Sequence, residues 1–279
     1  MLVVQSLWIG KMTLLEKGCI QSYIDKGISV HLYIYPQNPN QIVNHWAEGS
    51  AGEAVCPKCI FKDANEIIPY NDLFIEHNSY LPFSDLFRFE LLYKKGGWWI
   101  DLDLYFLGNK ANLNELQNKI FVFCEERTMV KGAYKSTEPT APALGLIWSK
   151  YQGEELFLKL GNDIKSKIGK MKNPITGMRL IKDYKKCGYL DTLNIHWLKP
   201  EQCLNLDWWH TKEFFTDQVE FDKPNWKTKY GVEPNYPIIQ GLFIHLWRNK
   251  CREKGINTDK VIPTTMYDEI TKDYQYIFQ

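Results

Sequence analysis

The segment "FSDLFRFELLYKKGGWWIDLDLYF" (83–106) closes one of the most apolar runs of the chain with two aspartates one residue apart, Asp101 and Asp103. In an extended strand, residues two apart project to the same face, so both carboxylates can enter one space. Two ionised carboxylates placed that way repel each other unless a cation neutralises them. Their oxygens are hard donors suited to Mg²⁺ or Mn²⁺, ions commonly completed by substrate phosphates and water. The chemistry implied is a metal-diphosphate site. The spacing alone is weak, because fifteen aspartates in 279 positions give about 0.8 such pairs by chance. Taken alone the pair reads equally as a solvated strand end or turn. Asp85 and Arg88, three apart on a helix, share a face and interrupt the apolar segment that delivers Asp101. A buried pair of this kind is either a structural ion pair or part of a site, and the planar fork of Arg88 can orient an aspartate or a phosphate.

The elements that must position these groups follow from apolar spacing and turn chemistry. "LVVQSLWIG" predicts a buried strand, "TLLEKGCIQSYIDKG" a helix with Thr13 and Glu16 in capping-box spacing, and "SVHLYIY" a second strand, together a parallel βαβ unit. A loop follows at "PQNPNQIVNHW", then the less regular "VCPKCIFKDANEIIP". Phe83, Leu86, Phe87 and Leu91 mark a helix over 83–95, closed by Gly96 and Gly97, where glycine takes a left-handed cap cheaply. Asp101 and Asp103 then sit where a central strand emerges from the core. Downstream the patterns predict a strand at "KIFVFCE", helices over 143–160 and 175–187, short strands at "NIHWL" and "GLFIHLW", and a terminal helix from 265. With no repeat and no Pro/Gly/Ser-rich linker, the chain reads as one mixed α/β domain.

Thirty-four Lys and Arg against 33 Asp and Glu leave a net charge of +1, which excludes a general attraction for nucleic acid or anionic membranes. Binding must come from a local site. Ten Trp, sixteen Tyr and fourteen Phe supply rings to line a pocket as well as fill a core, a composition that suits sugar handling. No uninterrupted apolar run of about 18 residues occurs and the N-terminal residues lack a signal-peptide pattern, so a cytoplasmic protein is expected. Seven cysteines, an odd number, fit reduced thiols. "CPKC" (Cys56, Cys59) has zinc-ligand spacing, but a structural site needs four ligands and no second pair follows; loop thiols are the expectation.

The combination in "SDLFRFELLYKKGGWWIDLDLYFL" resembles the sugar-binding region of D-x-D glycosyltransferases of the family 32 type, which include bacterial capsular and lipopolysaccharide sugar transferases. It is similar, too, to α1,4-galactosyltransferases, yeast initiating mannosyltransferases and clostridial glucosylating toxins. "QSLWIG" resembles the first strand of that family, "KDANEIIP" the stretch before the helix, and "HLW" (245–247) its C-terminal element; residues 1–107 carry most of the likeness. The resemblance implies a GT-A fold: a Rossmann-like nucleotide-binding half over 1–110 with a mixed central sheet, fused to an acceptor-binding half over 111–279. It implies a metal-dependent, retaining hexosyltransferase that uses Mn²⁺ or Mg²⁺ and a UDP-sugar donor. The acceptor would be a glycan or lipid-linked saccharide in surface polysaccharide synthesis, with at most peripheral contact at the inner face of the membrane. Carried onto this chain, the resemblance makes Asp101, Asp103 and Arg88 catalytic. Trp8 would stack on uracil with Ile9 beside it, Asp85 would hold ribose or sugar hydroxyls, and Arg88 would contact the aspartates and the sugar. Asp101 would face ribose, sugar and metal; Asp103 would be the direct metal ligand, joined by His245; and Trp247 would contact the diphosphate.

Each of these has a plainer alternative. Trp8 can be core, and a lone His245 among apolar neighbours can be a satisfied core histidine. "NPITGMRL" (173–180) resembles the family's Gly-Pro segment in altered order, which touches Thr176 and Gly177. Trp208, Trp209 and His210 read as packing more than as an acceptor platform. Glu125 and Glu126 end a strand and either reach the acceptor or do not. "RNKCREKGINTDK" reads as a solvated loop rather than a membrane-resting patch. Rival functions are an effector-like protein glycosyltransferase and a non-catalytic sugar-nucleotide or glycan-binding module. A nucleotidyltransferase fits less well for want of an N-terminal Gly-rich phosphate loop.

Overall fold

The structure, a computed structural model, describes residues 2–39, 59–127, 140–171, 176–203, 206–216, 241–263 and 265–272. The chain opens with β1 (Val3–Leu7), α1 (Leu14–Ile24) and β2 (Ser29–Ile34), and β1 pairs with β2 in parallel, Val4 opposite Val30. The capping box is formed: the Glu16 carboxylate accepts the Thr13 backbone N–H at 2.5 Å and its hydroxyl at 2.6 Å. Next comes β3 (Cys59–Asp63), parallel to β2, where the sequence pattern suggested irregular chain. Cys56 lies outside the described residues; the six described cysteines are free thiols.

Helix α2 (Leu81–Lys95) has Pro in its first turn, where a missing N–H costs nothing, and ends at Gly96 (φ 63°) and Gly97 (φ 85°). A Cβ on Gly96 would come within 3.0 Å of the Tyr151 carbonyl group, so glycine serves both the turn and the close approach. Phe83, Phe87, Phe89 and Leu91 of α2 are fully buried, each contributing about 1.5–3 kcal/mol of apolar burial. The reversal feeds β4 (Gly97–Ile100), which lies parallel to β1 in the middle of the sheet.

After β4 the chain leaves the sheet. The Leu104 N–H donates to the Asp101 carbonyl at 3.1 Å, closing a turn, and β5 (Leu104–Phe106) pairs instead with a distant C-terminal strand. Asp101 and Asp103 therefore bracket a turn, not the extended strand expected. Leu102 between them is buried in the core.

The remaining elements are α3 (Lys110–Leu116), β6 (Phe121–Arg127), β7 (Thr140–Ser149), α4 (Glu155–Lys165), α5 (Thr176–Lys186), β8 (Ile195–Leu198), α6 (Pro200–Cys203), α7 (Thr211–Thr216), β9 (Phe243–His245), α8 (Arg248–Glu253) and α9 (Met266–Thr271). The helix expected over 143–160 is wrong: most of it is β7, antiparallel to both β4 and β6, with α4 beginning only at Glu155. The stretch expected to be a solvated loop after 247 starts with helix α8. The helix near 175–187, the strands at "KIFVFCE", "NIHWL" and "FIH", and a helix capped by Thr265 all form.

The main sheet has seven strands in the order β3-β2-β1-β4-β7-β6-β8, parallel on the β3 side and mixed beyond β4; β5 and β9 form a separate ribbon. Strands from both sides of residue 110 thus share one sheet. The fold class is the one expected, α/β with a mixed central sheet. One face packs on α1 and a core of Val4, Trp98 and Leu146; the other carries α2, α4 and α5 on Phe87, Trp99 and Ile147. A third cluster, with Ile244, Phe214 and Tyr267, supports the β5–β9 ribbon. Among the described residues no helix is long and apolar enough to cross a membrane.

Candidate active-site cleft

A cleft of about 440 Å³ opens where β1 and β4 end, at the edge where the chain departs into the ribbon. Trp8, Ile9, Arg88, Asp101 and Asp103 line it, joined by Ser84, Trp99, Lys11, Arg248 and Arg252. The two aspartates are the acidic side chains of this lining, and their side chains remain 28% and 16% exposed, which leaves oxygens open to the cleft.

Arg88 holds one side. Its guanidinium meets Asp101 Oδ1 at 2.8 Å and Asp85 Oδ1 at 3.2 Å, and lies 4.9 Å from the centre of the Trp99 ring. The Trp99 indole N–H donates to the same Asp101 oxygen at 2.8 Å, so Asp101 Oδ1 is saturated while Oδ2 takes no hydrogen bond among the described residues. Burial pushes the Asp101 carboxyl up; Arg88 and the indole pull it down, Asp103 pushes it further up, and the balance stays above the ordinary carboxylate value. Asp85 is placed behind Arg88 and does not line the cleft. Its Oδ2 accepts the Gly177 N–H, 2.9 Å away, at the start of α5, and burial raises its pKa to about 6 against the pull of Arg88.

Gly177 is therefore a packing partner of the arginine cluster. A Cβ there would lie 2.6 Å from the Asp85 carboxyl, which cannot swing away without giving up Arg88. Gly177→Ala is expected to cost about 1–3 kcal/mol of stability, as overpacking does, and to shift Asp85. Denaturant melts check the first; a melting curve equal to wild type would mean the carboxylate has room to move.

Asp103 is held from the ribbon side. Its Oδ2 accepts the Arg248 backbone N–H at 3.0 Å and lies 3.2 Å from His245 Nε2, while its carbonyl accepts the Leu246 N–H at 2.7 Å. Burial pushes the Asp103 carboxyl up, but His245 and the Arg248 N–H outweigh it and hold it below the usual range. Burial pushes His245 down, and Asp103 with help from Asp101 and Glu126 lifts it above the usual histidine value, so the contact favours the imidazolium beside the carboxylate. His245 Nδ1 is buried and has no hydrogen-bond partner among the described residues.

Trp247 takes a left-handed conformation (φ 54°, ψ 49°), stacks on His245 at 3.8 Å, and donates its indole N–H to the Leu206 carbonyl at 2.6 Å. Neither Trp247 nor His245 lines the cleft; both lie behind Asp103. A tryptophan in that backbone region is strained, and the hydrogen bonds from Leu246 and Arg248 to Asp103 fix the corner that requires it.

Among the described residues no three His, Cys, Asp or Glu side chains are gathered closely enough to hold a metal unaided. The donor set nonetheless fits a hard divalent cation that takes its other ligands from a diphosphate and water: two carboxylates at one turn, with Asp101 Oδ2 free of hydrogen bonds among the described residues and both side chains partly open to the cleft. His245 would have to give up its place against Asp103 and present a neutral ring nitrogen to join them.

Other candidates fall elsewhere. Glu125 is buried and held by Lys185 at 2.7 Å, Lys199 at 3.0 Å and the Thr140 hydroxyl at 2.7 Å. Glu126 is half-buried, and burial raises its carboxyl pKa. Trp209 is packed inside, and Trp208 stands under Lys250 Nζ at 5.4 Å from its ring centre. Trp99, Arg248 and Arg252 are the site residues that sequence reasoning missed; Gly177 was singled out by the resemblance of its segment, but not as a partner of Asp85. The alternation of β4 could have flagged Trp99, which shares a strand face with Asp101; the others carry no local signal.

Residues 67–160, about a third of the chain, match the model of a family described as capsular polysaccharide synthesis protein. That span runs from the approach to α2, through the aspartate turn, into α4. Among solved structures the chain is similar to the PaToxG glycosyltransferase, at 12% identity and a TM-score of 0.43 over 99% of this chain and 86% of that one. It is similar to the galactosyltransferase LgtC, solved with donor and acceptor sugar analogues, at 10% identity and a TM-score of 0.47 over 88% and 87%. A third is the glycosyltransferase GlyE of Streptococcus pneumoniae, at 13% identity and a TM-score of 0.45 over 88% and 54%. No curated protein matches by sequence.

Proposed function

We propose that the protein is a metal-dependent, retaining glycosyltransferase that moves a hexose from a UDP-sugar to a glycan or lipid-linked saccharide in surface polysaccharide synthesis. The observation that carries this reading is the turn after β4, which presents Asp101 and Asp103 to a cleft shared with Trp8 and braced by Arg88. The match of that segment to a capsular polysaccharide synthesis family supports it, as does the resemblance of its residues to D-x-D transferases.

In this reading Trp8 and Ile9 take the base and ribose, and Asp101 and Asp103 would hold Mn²⁺ or Mg²⁺. The bound ion supplies neutralisation of the charge that develops on departing UDP. Arg88 keeps Asp101 ionised and aimed, and offers its remaining N–H groups to the sugar side. The acceptor hydroxyl attacks the anomeric carbon as the bond to the diphosphate breaks, and the leaving phosphate takes the hydroxyl proton; no protein base is assigned.

The test is a thermal-shift screen of nucleotide sugars with and without Mn²⁺, followed by product analysis with the best donor. UDP-sugars with Mn²⁺ should raise Tm by about 5 °C at a concentration of about 100 Kd. An equal response to every nucleotide, or none, counts against the reading. Tight UDP binding without hydrolysis or transfer assigns a binding module instead.

A further inference from the structure

Glu16 is a charged residue with no exposed surface, on a helix remote in sequence from the aspartate turn. One carboxylate oxygen, Oε2, is used locally, in the capping box with Thr13. The other, Oε1, faces Nε of Arg248. That arginine is a junction of the cleft: its backbone N–H holds Asp103, its guanidinium lies across Trp8 with Cζ 5.0 Å from the ring centre, and it lines the cavity. A guanidinium over an indole is attracted by the ring quadrupole, but that alone leaves a long side chain several rotamers. An ion pair to a buried carboxylate selects one of them. A buried carboxylate without a partner would be costly, so Glu16 and Arg248 depend on each other.

We propose that Glu16 is a positioning residue of the donor site: it locks Arg248 across Trp8, so that an anionic nucleotide meets a guanidinium already in place. The guanidinium edge not spent on Glu16 is aimed at the phosphate-bearing part of the ligand. Arg252, one turn further along α8 and lining the same wall, extends the cationic lip. Glu16 touches no substrate. It acts by sparing the ordering of Arg248 on binding, which is a gain in affinity and not in the chemical step. The inference rests on the reading of the cleft as a nucleotide-sugar site.

The experiment measures UDP affinity in the presence of Mn²⁺, and donor KM and kcat, for the full chain and for Glu16→Gln, Arg248→Met and the double variant. Glutamine serves a capping box as glutamate does, yet cannot neutralise a guanidinium, so Glu16→Gln spares the helix and removes the hold. Glu16→Gln and Arg248→Met should each weaken UDP about 10-fold, and the double variant should be no weaker than Arg248→Met within about 2-fold. The KM for donor should rise with kcat nearly unchanged, a split that loss of the helix cap alone would not produce. An unchanged UDP affinity in Glu16→Gln, or fully additive losses, overturns the positioning role and leaves the donor reading standing. If the buried substitution does not fold, Arg248→Met decides, since that side chain is 30% exposed: unchanged UDP affinity there overturns the inference. A wild-type chain that binds no UDP overturns both.

Discussion

Asp103→Asn should lower donor turnover roughly 10³-fold, the loss of about 4 kcal/mol of charge stabilisation at the leaving diphosphate. The substitution keeps shape and spares the backbone contacts. An amide oxygen still accepts the Arg248 N–H, and the Asp103 carbonyl still accepts from Leu246, so the β5–β9 ribbon should hold its place. What goes is a charge that the site is built to keep: the Asp103 carboxyl lies below the usual range because His245 and the Arg248 N–H outweigh its burial. A depressed pKa contributes stability above the unfolded carboxylate value and loses it as pH falls through the folded one. The variant should therefore be less stable than wild type near pH 7 and converge with it in acid. Asp101→Asn should impair turnover comparably. Initial rates with UDP-sugar and Mn²⁺, with melting curves at both pH values, check this; normal turnover in Asp103→Asn would remove the aspartate turn from the chemistry.

The parts of this site visible in the sequence are those encoded locally. Helix α2 announces itself through the spacing of Phe83, Leu86, Phe87 and Leu91 and stops at two glycines whose positive φ few other residues tolerate. The aspartates come directly after, so their place at the end of a central strand was legible. Strand β7 was not. It is buried on both faces, with Ala143, Leu146 and Trp148 in one core and Leu144 and Ile147 in the other, and such a strand shows no alternation; its Ala and Leu content then favours a helix. The turn at Asp101–Leu104 was legible only as an alternative to an extended strand, since β5 takes as partner a strand some 140 residues away, Leu104 opposite His245. Gly177 and Arg248 act through contacts of that same long-range kind. Only the fold brings Gly177 to Asp85, or Arg248 to Asp103, Trp8 and Glu16.

Arg88→Met is expected to cost about 3–5 kcal/mol of stability, the penalty for leaving buried carboxylates without their counter-charge, and to abolish turnover as well. Arg88 is 4% exposed and serves Asp85 and Asp101 at once, while Asp85 also caps the backbone of α5 through Gly177. Methionine fills much of the volume, so cavity formation contributes little to the loss. The pH dependence separates the electrostatic account from simple repacking. Asp85 has a pKa raised to about 6, and Asp101 is raised too, with Arg88 pulling both down. A carboxyl whose folded pKa is raised contributes stability that is fully present below the unfolded value and lost as pH climbs through the folded one. Removing Arg88 pushes both pKa values higher still, so the folded variant binds more protons than wild type across that range and loses stability more steeply as pH rises. The gap in Tm between wild type and Arg88→Met should thus be small at pH 4.5 and large at pH 7.5. A gap independent of pH would mean that Arg88 acts by packing against Trp99 and not as the cation shared by Asp85 and Asp101.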